Sequence, residues 1–173
     1  MSTTSLYIEL VIIGFESIVW MCSFATWLTE EKSFHIVMTI FEKLPATVII
    51  IGLMYIVGTT FDRFAKIVFK HSEEQIKKES GLSSSTSMML WKKNKLTDYL
   101  NYSRSKIRIL RASALNIPII TISLVLNIIK YYYHFWLAFF VIVVGIFFSV
   151  YSFCGLFISM KNYYSKAQML EQQ

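Results

Sequence analysis

The sequence predicts an all-α, polytopic integral membrane protein with four transmembrane helices and both termini in the cytoplasm, and three observations predict it. Of 173 residues, 55% are hydrophobic and only 16% charged, and the mean hydropathy is +0.52; a soluble domain carries about a quarter of its residues as charges. The apolar residues come in four long blocks, 6–28, 45–66, 109–129 and 136–158, each near the ~20 residues with which a helix crosses about 30 Å of hydrocarbon. Twelve of the seventeen Lys and Arg fall between Arg63 and Arg111, and such an excess marks the cytoplasmic side. The blocks are too long for barrel strands, and an open strand would leave backbone groups unpaired in lipid. One membrane domain, 1–173, is the natural count.

The first block, "LYIELVIIGFESIVWM", is nearly unbroken but contains Glu9 and Glu16. No basic residue precedes it and no small-x-small site ends it, so a retained helix is expected rather than a cleaved signal. The outer connection, "TEEKSFHIVMTIFEKLP", has Phe34, Val37, Phe41 and Leu44 at helical spacing and predicts a short amphipathic helix on the outer surface. Pro45 then suits the first turn of the second span, where its missing N–H costs nothing.

Residues 67–108 form a basic, cytoplasmic loop with helical parts. "KHSEEQIKKES" extends the second span and "GLSSSTS" breaks it. From Lys95 the pattern is helical again, and Arg104, Arg108 and Arg111 recur at i, i+4 and i+7. Guanidinium pairs bidentately with phosphate and carboxylate alike, so this stripe is a candidate contact for lipid headgroups or an acidic partner. The last two spans are joined by "KYYYHFW", the aromatic composition that a membrane interface favours. Gly145, Ser149, Ser152 and Gly155 in the fourth span offer close packing within or between subunits. Cys22 and Cys154 are placed near opposite ends of the bundle, beyond the reach of a disulfide.

Polar residues at membrane depth are the functional candidates. Glu9 and Glu16, seven residues apart, lie about 10 Å apart along the axis on nearly one face. Glu16 falls near the midplane, where an ionised carboxylate costs several kcal/mol unless it is paired, protonated or hydrated. The second span offers Tyr55 at that depth, with Asp62 and Arg63 near the inner interface; the third offers Arg111 and Asn116, just before Pro118. These seven residues, Glu9, Glu16, Tyr55, Asp62, Arg63, Arg111 and Asn116, form an expected polar cluster in the inner half. Glu9 with Arg63 and Asp62 with Arg111 are its expected ion pairs. They serve either helix register or an ion path.

Several functions find no footing. No phosphate-binding glycine loop, paired-histidine zinc motif or glycine-flanked serine occurs, and His35, His71 and His134 fall in separate connections, so neither an enzyme, a metal nor a cofactor is expected. The net charge of +6 follows from topology and anionic lipid, with no module that binds nucleic acid.

The segments "ELVIIGFESIVW", "YIVGTTFDR" and "RSKIRILRASALN" together resemble small four-helix bacterial membrane proteins of anti-phage defence systems, such as the membrane subunit of the Kiwa system or retron-associated membrane effectors. That resemblance implies an oligomer in the bacterial inner membrane, paired with a soluble cytoplasmic protein. Two functions follow from it: a sensor or scaffold that docks a cytoplasmic effector through the basic inner loop, or a channel-forming effector that depolarises the membrane when triggered.

Overall fold

A computed structural model describes residues 3–28, 44–79 and 97–171. All are helical except the short connection at Tyr133 and His134. The helices are α1 (Thr3–Leu28), α2 (Leu44–Glu79), α3 (Thr97–Tyr132) and α4 (Phe135–Glu171). Pro45 stands in the first turn of α2. The expected amphipathic helix at 34–44 and the "GLSSSTS" break lie outside the described residues, apart from Leu44, which opens α2.

Three helices are long and apolar enough to cross a membrane: α1 over Leu6–Leu28, α3 over Asn101–Tyr132 and α4 over Phe135–Ala167. The second block does not join them among the described residues. Its apolar part from Ile49 to Phe61, before Asp62, Arg63 and Lys66 begin, is about 20 Å of helix. Helix α4 is apolar all round, with Phe139, Phe147, Tyr151 and Ile158 exposed on it. Such a helix needs an apolar solvent on its free faces.

The helices form an open row, α2 against α1, α1 against α3 and α3 against α4. Small residues set the close approaches, as lipid-embedded packing requires in the absence of a hydrophobic drive between helices. A Cβ at Gly14 would collide with the Met54 carbonyl, and one at Gly58 with the Leu10 carbonyl, so α1 and α2 touch backbone to backbone. On α4, Gly145 receives the Thr121 side chain, Gly155 faces Leu110, and Ser152 is buried. The small residues of the fourth span therefore pack within the α3–α4 hairpin.

Hydroxyls inside the spans are turned back on their own helices: Ser17, Thr60 and Thr121 donate to the carbonyls four residues earlier, at 2.8–3.0 Å. That satisfies them where no water is present. Pro118 sits inside α3 and leaves the Ala114 carbonyl without its helical donor. The hairpin turns at Tyr133, whose φ of 50° is left-handed; the Ala138 N–H then donates to the His134 carbonyl, opening α4.

At 36 or 37 residues, α2, α3 and α4 are each about 54 Å long, far more than the hydrocarbon thickness of about 30 Å. Their surplus lengths converge at one end, where Phe69, Ile107, Leu156, Met160 and Tyr163 form the apolar core. Phe69 and Phe153 meet edge to face at 5.8 Å. Leu156 and Met160 are almost wholly enclosed, so truncating either costs about 2–5 kcal/mol.

The two glycines of α2 predict opposite outcomes. Gly58→Ala forces α1 and α2 apart and destabilises by roughly 1–3 kcal/mol, whereas Gly52→Ala meets open space and gains about 0.5–1 kcal/mol of helix stability. Unfolding in mixed detergent micelles measures both; effects of the same sign would overturn the α1–α2 contact.

Candidate functional site

The fold and its polar residues define a helical bundle with the features of a membrane protein, in which two polar assemblies join the helices. The first is a chain of alternating charge near the convergent end. Glu9 of α1 accepts from Arg108 Nη1 of α3 at 2.9 Å and from Ser105 Oγ at 2.5 Å. Arg108 Nε also lies 3.7 Å from Asp62 of α2. Asp62 accepts from Arg111 Nη2 at 3.1 Å, and Arg111 Nη1 continues to Glu73 at 3.6 Å. Glu73 in turn accepts from the Tyr164 hydroxyl of α4 at 2.8 Å. One series, Glu9, Arg108, Asp62, Arg111, Glu73, Tyr164, thus touches all four helices.

Burial makes this series consequential. Glu9 and Arg111 are 4% and 7% exposed, so neither charge is left to water, and pairing is what permits it. Beside the series, Arg104 Nε donates to the Tyr163 hydroxyl at 2.8 Å with its guanidinium over the Tyr163 ring. Arg111 Nε is buried without a hydrogen-bond partner.

The second assembly is a polar seam between α1 and α3. These two helices run parallel, so a residue of α1 meets one about a hundred positions later. Glu16 accepts from Ser113 at 2.8 and 3.0 Å and from Asn116 Nδ2 at 3.2 Å. Asn116 is fully buried; its Oδ1 accepts from Trp20 Nε1 at 3.1 Å and lies 3.3 Å from the Ser17 hydroxyl oxygen. Towards the far end, Asn127 donates to the Ser23 carbonyl at 2.6 Å and accepts from Thr26 at 3.1 Å. Lys130 and the Tyr131 hydroxyl close it on the Trp27 and Thr26 carbonyls.

Five of the seven clustered candidates take part: Glu9, Asp62 and Arg111 in the charge series, and Glu16 and Asn116 in the seam. The other two are corrected. Tyr55 does not reach Glu16; it is half-exposed and stacks on Tyr7 at 5.1 Å. The face of α1 that carries Glu16 is turned to α3, while α2 packs on the face of Leu10 and Gly14, about a third of a turn away. Arg63 is exposed, because the inward stripe of α2 runs through Gly58, Asp62, Ala65 and Phe69. Arg108 takes the place expected for Arg63 beside Glu9.

The arginine stripe is also corrected as an outward surface. Arg108 and Arg111 are directed into the bundle and Arg104 onto Tyr163, because three carboxylates and a phenol on the adjoining helices face them. Lys66, Lys106 and Lys161 are among the cations exposed on the outside of the same region. Glu73, Ser105, Ser113 and Tyr164 join the site without having been singled out by sequence. Among the described residues no group of His, Cys, Asp and Glu could hold a metal ion, and Cys22 and Cys154 are both free thiols.

No family model matches this sequence, and neither a curated protein nor a solved structure matches it.

Removing one partner from the charge series strands the others. Arg111→Met is expected to destabilise by about 3–5 kcal/mol, while Arg63→Gln stays within about 0.5 kcal/mol, both read by unfolding in mixed micelles. In the seam, Glu16→Ala deprives the Ser113 hydroxyl and Asn116 Nδ2 of their acceptor and costs roughly 1–3 kcal/mol, and Glu16→Gln, which keeps an acceptor, costs less. Equal losses for Gln and Ala would show that the charge of Glu16, not its hydrogen bonds, holds the seam.

Proposed function

We propose that this chain spans the bacterial inner membrane four times, with both termini in the cytoplasm, and acts there as an oligomeric, non-enzymatic sensor or scaffold that holds a cytoplasmic protein at the membrane. The observation that carries this reading is the continuity of α2, α3 and α4. Each runs from apolar length into a polar extension, and at the end richest in Lys and Arg the three extensions are packed together and linked by the Arg111–Glu73 ion pair and the Tyr164–Glu73 hydrogen bond. About 24 Å of each helix exceeds the hydrocarbon thickness. A partner seated on such a platform is rigidly joined to the spans, so a disturbance of the bilayer reaches it. With Arg108 and Arg111 engaged inside, the docking surface falls to the exposed Lys106 and Lys161 and to the basic loop between α2 and α3.

The fourth crossing is assigned to α2. Counted from Leu44, its backbone is helical ahead of Asp62, and its sequence there is apolar enough to complete an even number of passes. The narrower role, as the membrane subunit of an anti-phage defence system, is supported by the resemblance of the three segments quoted above. The channel-forming alternative draws on Glu16 in mid-span. Against it stands the use of the seam's donors and acceptors between α1 and α3, which commits these groups to helix contacts.

Two measurements test the proposal. Single cysteines replacing Ser33 or Ser84, in a background lacking Cys22 and Cys154, are expected to separate by side: an impermeant thiol reagent labels the former alone in intact cells. A soluble cytoplasmic protein is expected to co-purify with the chain, and Lys106→Glu with Lys161→Glu to weaken that association more steeply at low salt. Ion flux in liposomes above background, lost in Glu16→Gln, would favour the channel instead.

A further inference from the structure

A groove of about 510 Å³ runs along one side of the α3–α4 hairpin, from Pro118 to Leu126 on α3 and from Ile142 to Phe153 on α4. Its floor is made by Pro118, Thr121, Gly145 and Ser149, all short side chains at the centre of the hairpin. Its rims are Ile122, Ile146 and Val150, each more than half exposed. The hydroxyl of Thr121 is already committed to the Ile117 carbonyl, and the lining is otherwise almost entirely hydrocarbon.

We infer that this groove binds one acyl chain of a phospholipid from the leaflet on the side of the α3–α4 connection. Its dimensions select the occupant. The eleven steps from Ile142 to Phe153 on α4 give a length of about 16 Å, and the volume then corresponds to a mean cross-section of about 30 Å². A neighbouring helix, about 10–12 Å across with its side chains, is too wide to enter. Water is excluded as well, since it needs two to four polar partners. A flexible hydrocarbon chain fits both the width and the chemistry. The groove's outer end, at Leu126 and Ile142, stops about 10 Å short of the connection, where Tyr132, Tyr133, Phe135 and Trp136 are all exposed. Rings of this kind settle at headgroup level, so a lipid with its tail in the groove has its glycerol and phosphate among them. The inference requires only that α3 and α4 lie in a bilayer, and it stands apart from any docking role.

The chain purified in mild detergent and taken through detergent exchange is expected to retain about one phospholipid per chain by phosphorus analysis, as a single groove of this size would hold. Val125→Phe with Ser149→Leu fills the groove and is expected to remove that lipid. A photoreactive residue replacing Ile146, in an otherwise unaltered chain within phospholipid vesicles, is expected to capture phospholipid more efficiently than the same residue replacing Phe147. This second measurement does not depend on the filled variant folding. Equal capture at both positions would overturn the inference and leave bulk lipid only. Capture of a second copy at position 146, or retention of free fatty acid without phosphorus, would overturn it too, by naming a different occupant.

Discussion

Asp62 lies between two arginines, and the bundle depends on that placement. Helix α2 packs along α1 through bare backbone at Gly14 and Gly58 and only lightly touches α3 and α4. What ties its inner half to the rest is Asp62 held by Arg108 and Arg111, with Glu73 about three turns beyond on the same stripe. Because the alternation of charge leaves each ion beside an opposite one, a group as enclosed as Glu9 is accommodated without water. The series ends in the Tyr164 hydroxyl, which brings α4 under the same constraint. Polar pairing of this kind gives register where apolar side chains surrounded by lipid would slide with little penalty.

The seam extends that specification across the span. Glu9, Glu16 and Ser23 recur every seven residues on α1, with Ile13, Trp20 and Trp27 between them. Such alternating steps of four and three keep one face turned to a parallel neighbour. On α3 the answering residues are Ser105 and Arg108, then Ser113 and Asn116, then Asn127. Apolar layers separate the polar ones: Ile13 and Ala112 are fully buried between the Glu9 and Glu16 levels. The result is a set of discrete, satisfied contacts rather than a continuous file of exchangeable protons.

How much of this was legible depended on what each residue needed. Lipid imposes helices on any long apolar block, so the all-α class, the end of α1 and the position of the α3–α4 turn follow from composition and length, whereas α3 begins at Thr97 and α4 runs to Glu171, well outside the apolar blocks. The depth of Glu9, Glu16, Asp62, Arg111 and Asn116 follows from counting residues, and depth brought them together. Helix phase was harder. Arg63 and Arg108 stand at similar depth, and only the stripe Gly58, Asp62, Ala65, Phe69 and Glu73 decides which of them is inside; that spacing was present in the sequence but competes with an apolar background on every face. The parallel pairing of α1 with α3, and so the partners of Glu16, is a tertiary fact that the heptad on α1 hints at without naming the other helix.

That parallel pairing has a consequence for biosynthesis. The Glu9–Arg108 contact joins residues 99 positions apart, and every bond of the seam is equally remote. At about 5–20 residues per second, the ribosome delivers Arg108 some 5–20 seconds after Glu9. Through that interval α1 and then α2 are made while the acids of α1 have no arginine, serine or asparagine to meet. A carboxylate in mid-span is costly without a partner, so the arrival of α3 is what first supplies the acids of α1 with their native donors.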